Sequence, residues 1–226
     1  MRETDGSPAV RLGEGTAVAM SPDGKWAVAL QDKLTNPHLT IYPTGAGQPR
    51  PLPLPGLQYV GATRFLPDSR RLLIRAHEES HGDRIFLGDI DGGKLRPITP
   101  ENVSGFGPIS VDGKRFLLRG QDRRLYSYPI EGGEPTPIQG FQPDDLPVAW
   151  TADDRSLFIH RAEGPMAKID RLDLATGRRE PWRELFPADA AGVVRVSSVF
   201  VSPDGSFYAY AYSRVLSNLF LVEGLK

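Results

Sequence analysis

The side chains best suited to chemistry are the four histidines, His38, His77, His81 and His160. Two of them stand in His77-Glu78-Glu79-Ser80-His81, a literal match to H-E-x-x-H. That pattern makes a zinc peptidase when a helix sets both imidazoles on one face and poises the glutamate as base. Here the strand-like run Leu72-Leu73-Ile74-Arg75 leads in, and Gly82-Asp83 and a second strand lead out. The segment therefore reads as a loop between strands, too short for a supported helix. A solvated loop is the expectation, ahead of adventitious metal binding and well ahead of catalytic zinc, and no metal is assigned.

Other reactive constellations are weaker. No G-x-S-x-G elbow marks a nucleophilic serine. The pair Asp144-Asp145 falls in a connecting segment and Asp153-Asp154 in a turn, so both read as structural or solvated rather than as acid–base pairs. Asp89-Ile90-Asp91-Gly92 is too short for a calcium loop, which draws its oxygens from about 12 residues. The doublets Arg70-Arg71, Arg123-Arg124 and Arg178-Arg179 are scattered at turns and read as solvated rims. Trp26, Trp150 and Trp182 are expected to pack within or beside sheets.

Composition narrows the classes. The chain has 226 residues with 24 Gly, 21 Pro and no Cys, and its 27 Lys and Arg against 28 Asp and Glu give a formal charge of −1. Without a basic excess, phosphate-backbone binding is not expected. Without cysteine, disulfide frameworks, thiolate metal sites and thiol nucleophiles are excluded; no cofactor is expected. No apolar run reaches the roughly 18 residues of a membrane helix. The polar opening Met1-Arg2-Glu3-Thr4-Asp5-Gly6 does not read as a secretory signal. A soluble chain is expected, with its compartment open. The Gly and Pro content implies many turns and few long helices.

Those turns repeat. Ser21-Pro22-Asp23-Gly24 recurs as Ser202-Pro203-Asp204-Gly205, with weaker copies at Leu66-Pro67-Asp68-Ser69, Ser110-Val111-Asp112-Gly113 and Thr151-Ala152-Asp153-Asp154. The aligned aspartates are spaced by 45, 44, 41 and 51 residues, close to the period of about 40–45 of a four-stranded propeller blade. Ser or Asp first, Pro second and Gly fourth suit a type I turn closed by a left-handed residue. Ser69 and Asp154 replace that glycine, so their hairpins are expected to be looser. Each turn is followed by a short apolar or alternating run, Trp26–Leu30, Leu72–Ile74, Phe116–Leu118, Leu157–Ile159 and Phe207–Tyr210. These read as strands buried on both faces between neighbouring sheets. A second turn follows, as in Asp91-Gly92-Gly93 and Glu131-Gly132-Gly133, and then a short proline-containing strand such as Arg50–Leu54 or Pro135–Ile138. Proline cannot donate to a ladder, so these strands belong at an outer edge. Pro181–Phe186 offers the one candidate helical turn.

The fold class expected is all-β: one domain over 1–226, a five-bladed β-propeller with blades near 13–55, 56–99, 100–140, 141–192 and 193–226 plus 7–12. The fifth copy lacks an outer strand, and Ala9-Val10-Arg11-Leu12 would supply it by pairing alongside Asn218–Glu223. The competing reading is the tail of a longer propeller.

These residues resemble the TolB-like, WD-type propellers of bacteria, and most closely the propeller at the C-terminus of acidobacterial eukaryotic-like serine/threonine protein kinases and related winged-helix regulators. The likeness is carried by the Ser-Pro-Asp-Gly turns, by Asp91–Pro100, by Leu172-Asp173-Leu174-Ala175-Thr176-Gly177-Arg178 and by Ser217–Lys226. It implies a sensory or interaction module. Kinase catalytic motifs are missing: His160-Arg161-Ala162 lacks the catalytic aspartate of the kinase loop.

Strand alternation puts the Pro-Asp-Gly and Gly turns at one end of the sheets. The longer loops, Gln31–His38, Ala76–Asp83 and Ala162–Ala167, fall at the other end, with the four histidines, Lys33, Glu78, Glu79, Arg161 and Glu163 on or beside it. Binding concentrates on loops held by a rigid scaffold. The expectation is a monomeric, non-enzymatic binding scaffold that meets a protein, peptide or small molecule at that end or at the mouth of a central channel, through His38, His77, Glu78, His81 and Arg161. No nucleic acid or membrane partner is expected. The alternatives are a hydrolase or lyase at the channel mouth, and a fragment without independent activity.

Overall fold

A computed structural model describes residues 8–32, 37–103 and 106–217. The chain divides into two compact units, Met1–Pro137 and Ile138–Lys226. Every regular element among the described residues is a strand, and each sheet is an antiparallel meander in sequence order.

The first unit holds three sheets. The first is β1 (Thr16–Met20), β2 (Trp26–Gln31), β3 (His38–Pro43) and β4 (Arg50–Leu52); the second is β5 (Leu57–Phe65), β6 (Arg71–Glu78), β7 (Arg84–Asp89) and β8 (Arg96–Pro97). The third is β9 (Arg115–Arg119), β10 (Leu125–Pro129) and β11 (Thr136–Pro137), with Ile109 bridging to Phe116 where an inner strand would stand. In the second unit β12 (Leu146–Trp150), β13 (Ser156–Glu163), β14 (Met166–Asp173) and β15 (Arg179–Leu185) form a fourth sheet, and β16 (Val193–Val201) pairs with β17 (Tyr208–Arg214) alone.

The repeated turn explains the repeated sheet. Ser21 Oγ donates to Asp23 Oδ1 at 2.6 Å and accepts from the Trp26 amide at 3.0 Å, while Asp23 Oδ1 accepts from the Lys25 amide. The same bonds recur around Ser110 and Asp112, Thr151 and Asp153, and Ser202 and Asp204. Local side-chain bonds of this kind satisfy turn amides that the ladder leaves over. Ser69 and Asp154 adopt φ of 59° and 54° where the other copies have glycine. Their closing bonds, to Leu66 O at 3.0 Å and Thr151 O at 2.8 Å, match the 2.9 Å of Gly24 to Ser21 O. The expected loosening is therefore corrected: the turn's own hydrogen bonds hold the left-handed residue whatever its side chain. Neighbouring turns also touch, the Asp23 amide donating to Ser69 Oγ and the Ala152 amide to Pro203 O, so within each unit they share one end.

Sheets of the first unit are joined by aliphatic packing. Val28, Leu39 and Ile41 meet Leu72, Ile74 and Phe86; Leu73 and Ile85 meet Phe116 and Leu118. Strand β6 is thus buried on both faces, as its unbroken Leu-Leu-Ile run implies. Arginines strap each sheet to the next. Arg50 donates to Ile90 O and Asp91, and Arg96 to Glu131 O and the Glu131 carboxylate. In the second unit Phe158, Ala167, Ile169 and Leu185 pack on Val196, Val199 and Val201.

Four expectations change. Among the described residues there are four blade-type sheets, not five; the fifth repeat contributes only β16 and β17. Ala9–Leu12 lies in no strand, and its expected partner Asn218–Glu223 lies outside the described residues. The following Gly13 and Glu14 are held on the first sheet instead: Glu14 O accepts from Gln31 Nε2 and Tyr42 Oη, and a Cβ at Gly13 would strike the Tyr42 ring. Pro181–Phe186 is no helix, because residues 179–185 pair along β14 as an outer strand. In the fifth repeat Phe207, Tyr208 and Ala209 are exposed and Tyr210 is half-buried, rather than the run being buried on both faces, since among the described residues β17 has the fourth sheet on one side only.

Candidate functional site

In the first unit the loop between β6 and β7 is built around Asp83. Its carboxylate accepts from Arg75 Nη2 at 2.6 Å and lies 3.1 Å from His77 Nδ1, whose Nε2 is 3.2 Å from Gln58 Oε1 on β5. Arg75 and His77 point the same way because they are two apart on a strand. Beyond β6 the chain reverses in a tight turn, with the His81 amide donating to Glu78 O and Ser80 at φ 65°. The H-E-x-x-H segment is therefore half strand and half turn. His81 Nδ1 meets Glu79 O, not His77. Among the described residues no three His, Asp or Glu side chains converge as metal ligands.

The loop is anchored to the segment that leads into the third sheet. The Gly82 amide donates to Glu101 Oε2, the Val103 amide to Asp83 O, and Arg84 Nε to Thr99 O. Gly82 itself lies against Asn102, where a Cβ would strike the side-chain amide. Next to this connector stands the turn between β9 and β10. There Tyr126 Oη donates to Asp122 Oδ2 at 2.7 Å, Asp122 Oδ1 accepts from the Arg124 amide, and Gln121 Nε2 reaches Asn102 O. The bond from the phenol holds the Asp122 carboxyl below its ordinary range and raises the Tyr126 hydroxyl. Connector, turn and the face of β10 enclose a cleft of about 380 Å³, walled by Pro100, Val103, Tyr126 and Tyr128 with Glu101 and Asp122 at its polar margin. Sequence reasoning missed it. The available signal was Tyr-x-Tyr on a strand, with an aspartate four residues ahead across a turn.

His38 opens β3, exposed and opposite Gln31 at the loop end of the first sheet. Lys33 lies outside the described residues. His77, Glu78 and His81 are thus brought onto one loop, with His38 at the corresponding end of the adjacent sheet.

Arg161 belongs to the second unit, and its environment corrects one reading, that of Arg179. Asp145, expected to be structural or solvated, is structural and fully buried. It accepts from Arg161 Nη2, from Arg179 Nη1 and Nη2 at 3.0–3.1 Å, and from the Gln142 amide. Arg179 also binds Asp170 at 2.8 Å, so it is no solvated rim residue but part of an ion-pair network centred on the buried Asp145. Such a carboxylate enters the interior only because two guanidinium groups and an amide replace its water. Arg161 is held by Asp145 and Gln142 rather than projecting freely. His160, one residue before, is 3% exposed; burial pushes its imidazole below the usual range while the Asp145 charge opposes the shift. Glu163 pairs with Lys168 at 2.8 Å, which lowers the carboxyl and raises the amine.

No family model matches the chain, and no curated protein matches it. Solved structures do. The chain is similar to TolB from Acinetobacter baumannii, with TM-score 0.59 and 19% identity over 88% of this chain and 54% of that one. It is similar to the protein assigned as TolB in Agrobacterium tumefaciens, with TM-score 0.63 and 20% identity over 88% and 70%. A third neighbour is an oligogalacturonate lyase from Vibrio parahaemolyticus, with TM-score 0.60 and 13% identity over 84% and 56%. The chain spans little more than half of the Acinetobacter TolB and of the lyase. At these identities the likeness is one of fold: an all-β chain of propeller-type sheets, as in TolB.

Proposed function

We propose that this chain is a non-enzymatic binding scaffold, the sensory or interaction module of a TolB-like or kinase-associated protein. It acts as a monomer and presents the loop ends of its sheets to a protein or peptide. In the first unit the surface centres on His38, His77, Glu78 and His81, and in the second on Arg161 and its neighbours. The observation that carries this reading is the anchoring of the β6–β7 loop. Asp83 fixes its base, and Glu101 and Val103 fix its far side, so exposed Glu79, Ser80 and His81 are displayed on a preformed support. A binding surface ordered beforehand loses less entropy on association. The competing class is a hydrolase or lyase. One neighbour in fold is a lyase, but 13% identity carries no activity across.

The test is photo-crosslinking of the full chain in a lysate of its source cell, with the crosslinker at position 79 or, as control, at position 112 in the opposite turns. A partner captured at 79, and lost on His77→Ala with His81→Ala, is the expected result. Capture only from position 112, with the loop-end variants binding normally, refutes the assignment of the surface.

A further inference from the structure

We propose that the cleft beside β10 is a subsite for a cationic side chain, a lysine or arginine of a peptide partner. The inference rests on the binding-scaffold reading and names the chemistry that one part of that surface recognises.

The walls and the margin of the cleft are chemically different. Tyr126 and Tyr128 stand on the same side of β10, their rings 6.4 Å apart and nearly perpendicular. With Pro100, Val103 and Pro135 they make an apolar slot that fits the methylene stem of a long side chain. Its volume, about 380 Å³, lies within the usual range of ligand pockets, roughly 300–1,000 Å³. An aromatic wall attracts a cation through the negative face of its π system. Tyr126 is enriched for this purpose, because donating its phenolic proton to Asp122 pushes electron density into the ring.

The margin is anionic. Glu101 accepts the Gly82 amide and has no cation within ion-pair distance among the described residues. Asp122 has Arg124 Nε at 3.8 Å, on a side chain that is 75% exposed, and such a contact is weak in water. An anionic ligand would meet two carboxylates. A neutral proline-rich segment would fit the walls but would desolvate Glu101 without compensation. A cation on an apolar stem satisfies walls and margin together.

The experiment is a titration of the isotopically labelled full chain with acetyl-Gly-Lys-Gly-amide and acetyl-Gly-Arg-Gly-amide, followed by NMR. Acetyl-Gly-Glu-Gly-amide and the same lysine peptide with its amine acetylated are the controls. We expect saturable shifts centred on Gln121, Asp122 and Tyr126 with the cationic peptides only. Glu101→Gln should weaken binding about two- to five-fold, and Tyr126→Leu by a similar factor. Should Tyr126→Leu disturb folding, visible in the same spectra, Glu101→Gln decides alone. Equal shifts from acetylated and free lysine, shifts centred elsewhere, or no effect of Glu101→Gln each overturn the subsite. A partner crosslinked at position 79 and indifferent to Glu101→Gln would sink this inference while leaving the scaffold standing.

Discussion

Strands β6 and β17 follow the same turn in two copies of one repeat, yet they end in different surroundings. Leu72, Leu73 and Ile74 are each 0% exposed, while Phe207 is 77% and Tyr208 43% exposed. The difference lies in what flanks each strand. β6 has sheets on both sides; β17 packs Tyr210 toward the fourth sheet and turns Ala209 and Ala211 to solvent. The sequences differ as well. Leu-Leu-Ile is unbroken, as a doubly covered strand requires, whereas Tyr208-Ala209-Tyr210-Ala211-Tyr212 alternates large and small side chains, and of its tyrosines only Tyr210 joins the core while Tyr208 and Tyr212 are exposed.

The sharpest way to break the comparison is to truncate both. Ile74→Ala should cost about 2–5 kcal/mol, the usual result of a cavity in a filled core. Phe200→Ala, at a β16 residue that is 67% exposed, should stay within about 0.5 kcal/mol. Chemical denaturation measures both, and comparable losses would mean that the outer face of β16 is covered in solution. Next in size is Asp145→Ala, which tests whether the second unit depends on charge where the first depends on aliphatic contact. Removing the buried carboxylate strands Arg161 and Arg179 and should cost about 3 kcal/mol. A loss below about 1 kcal/mol would show that water replaces the carboxylate readily.

The smallest effect is on acid stability. Hydroxyl donors hold the Asp23, Asp112 and Asp153 carboxyls below 3.8, and Ser202 with the Ser206 amide takes Asp204 down to about 2. A carboxyl whose folded pKa is depressed contributes stability that is whole above its unfolded pKa and fades as pH falls through the folded one. Melting temperature should therefore decline between about pH 4 and pH 2, with a shallower slope in Ser202→Ala. An unchanged slope in that variant would remove Ser202 as the cause.

How much of this was legible beforehand follows from distance along the chain. The Ser-x-Asp turns, the proline-bearing outer strands and the TolB-like architecture rest on bonds spanning a few residues, and all were readable. The burial of Asp145 was not readable because its arginines lie 16 and 34 residues away, and nothing local separates it from the exposed Asp144. Pro181–Phe186 looked helical in isolation, and only the pairing of residues 179–185 along β14 makes it a strand. The cleft needs three separate segments, so no single stretch of sequence announces it.

Each outer strand carries a proline, Pro51, Pro97, Pro137 or Pro181, at the rim where another molecule could add a strand. Since proline offers no amide proton, intermolecular sheet growth started at any of these rims meets a gap in its ladder. The molecule thus carries four built-in chain terminators against polymerisation.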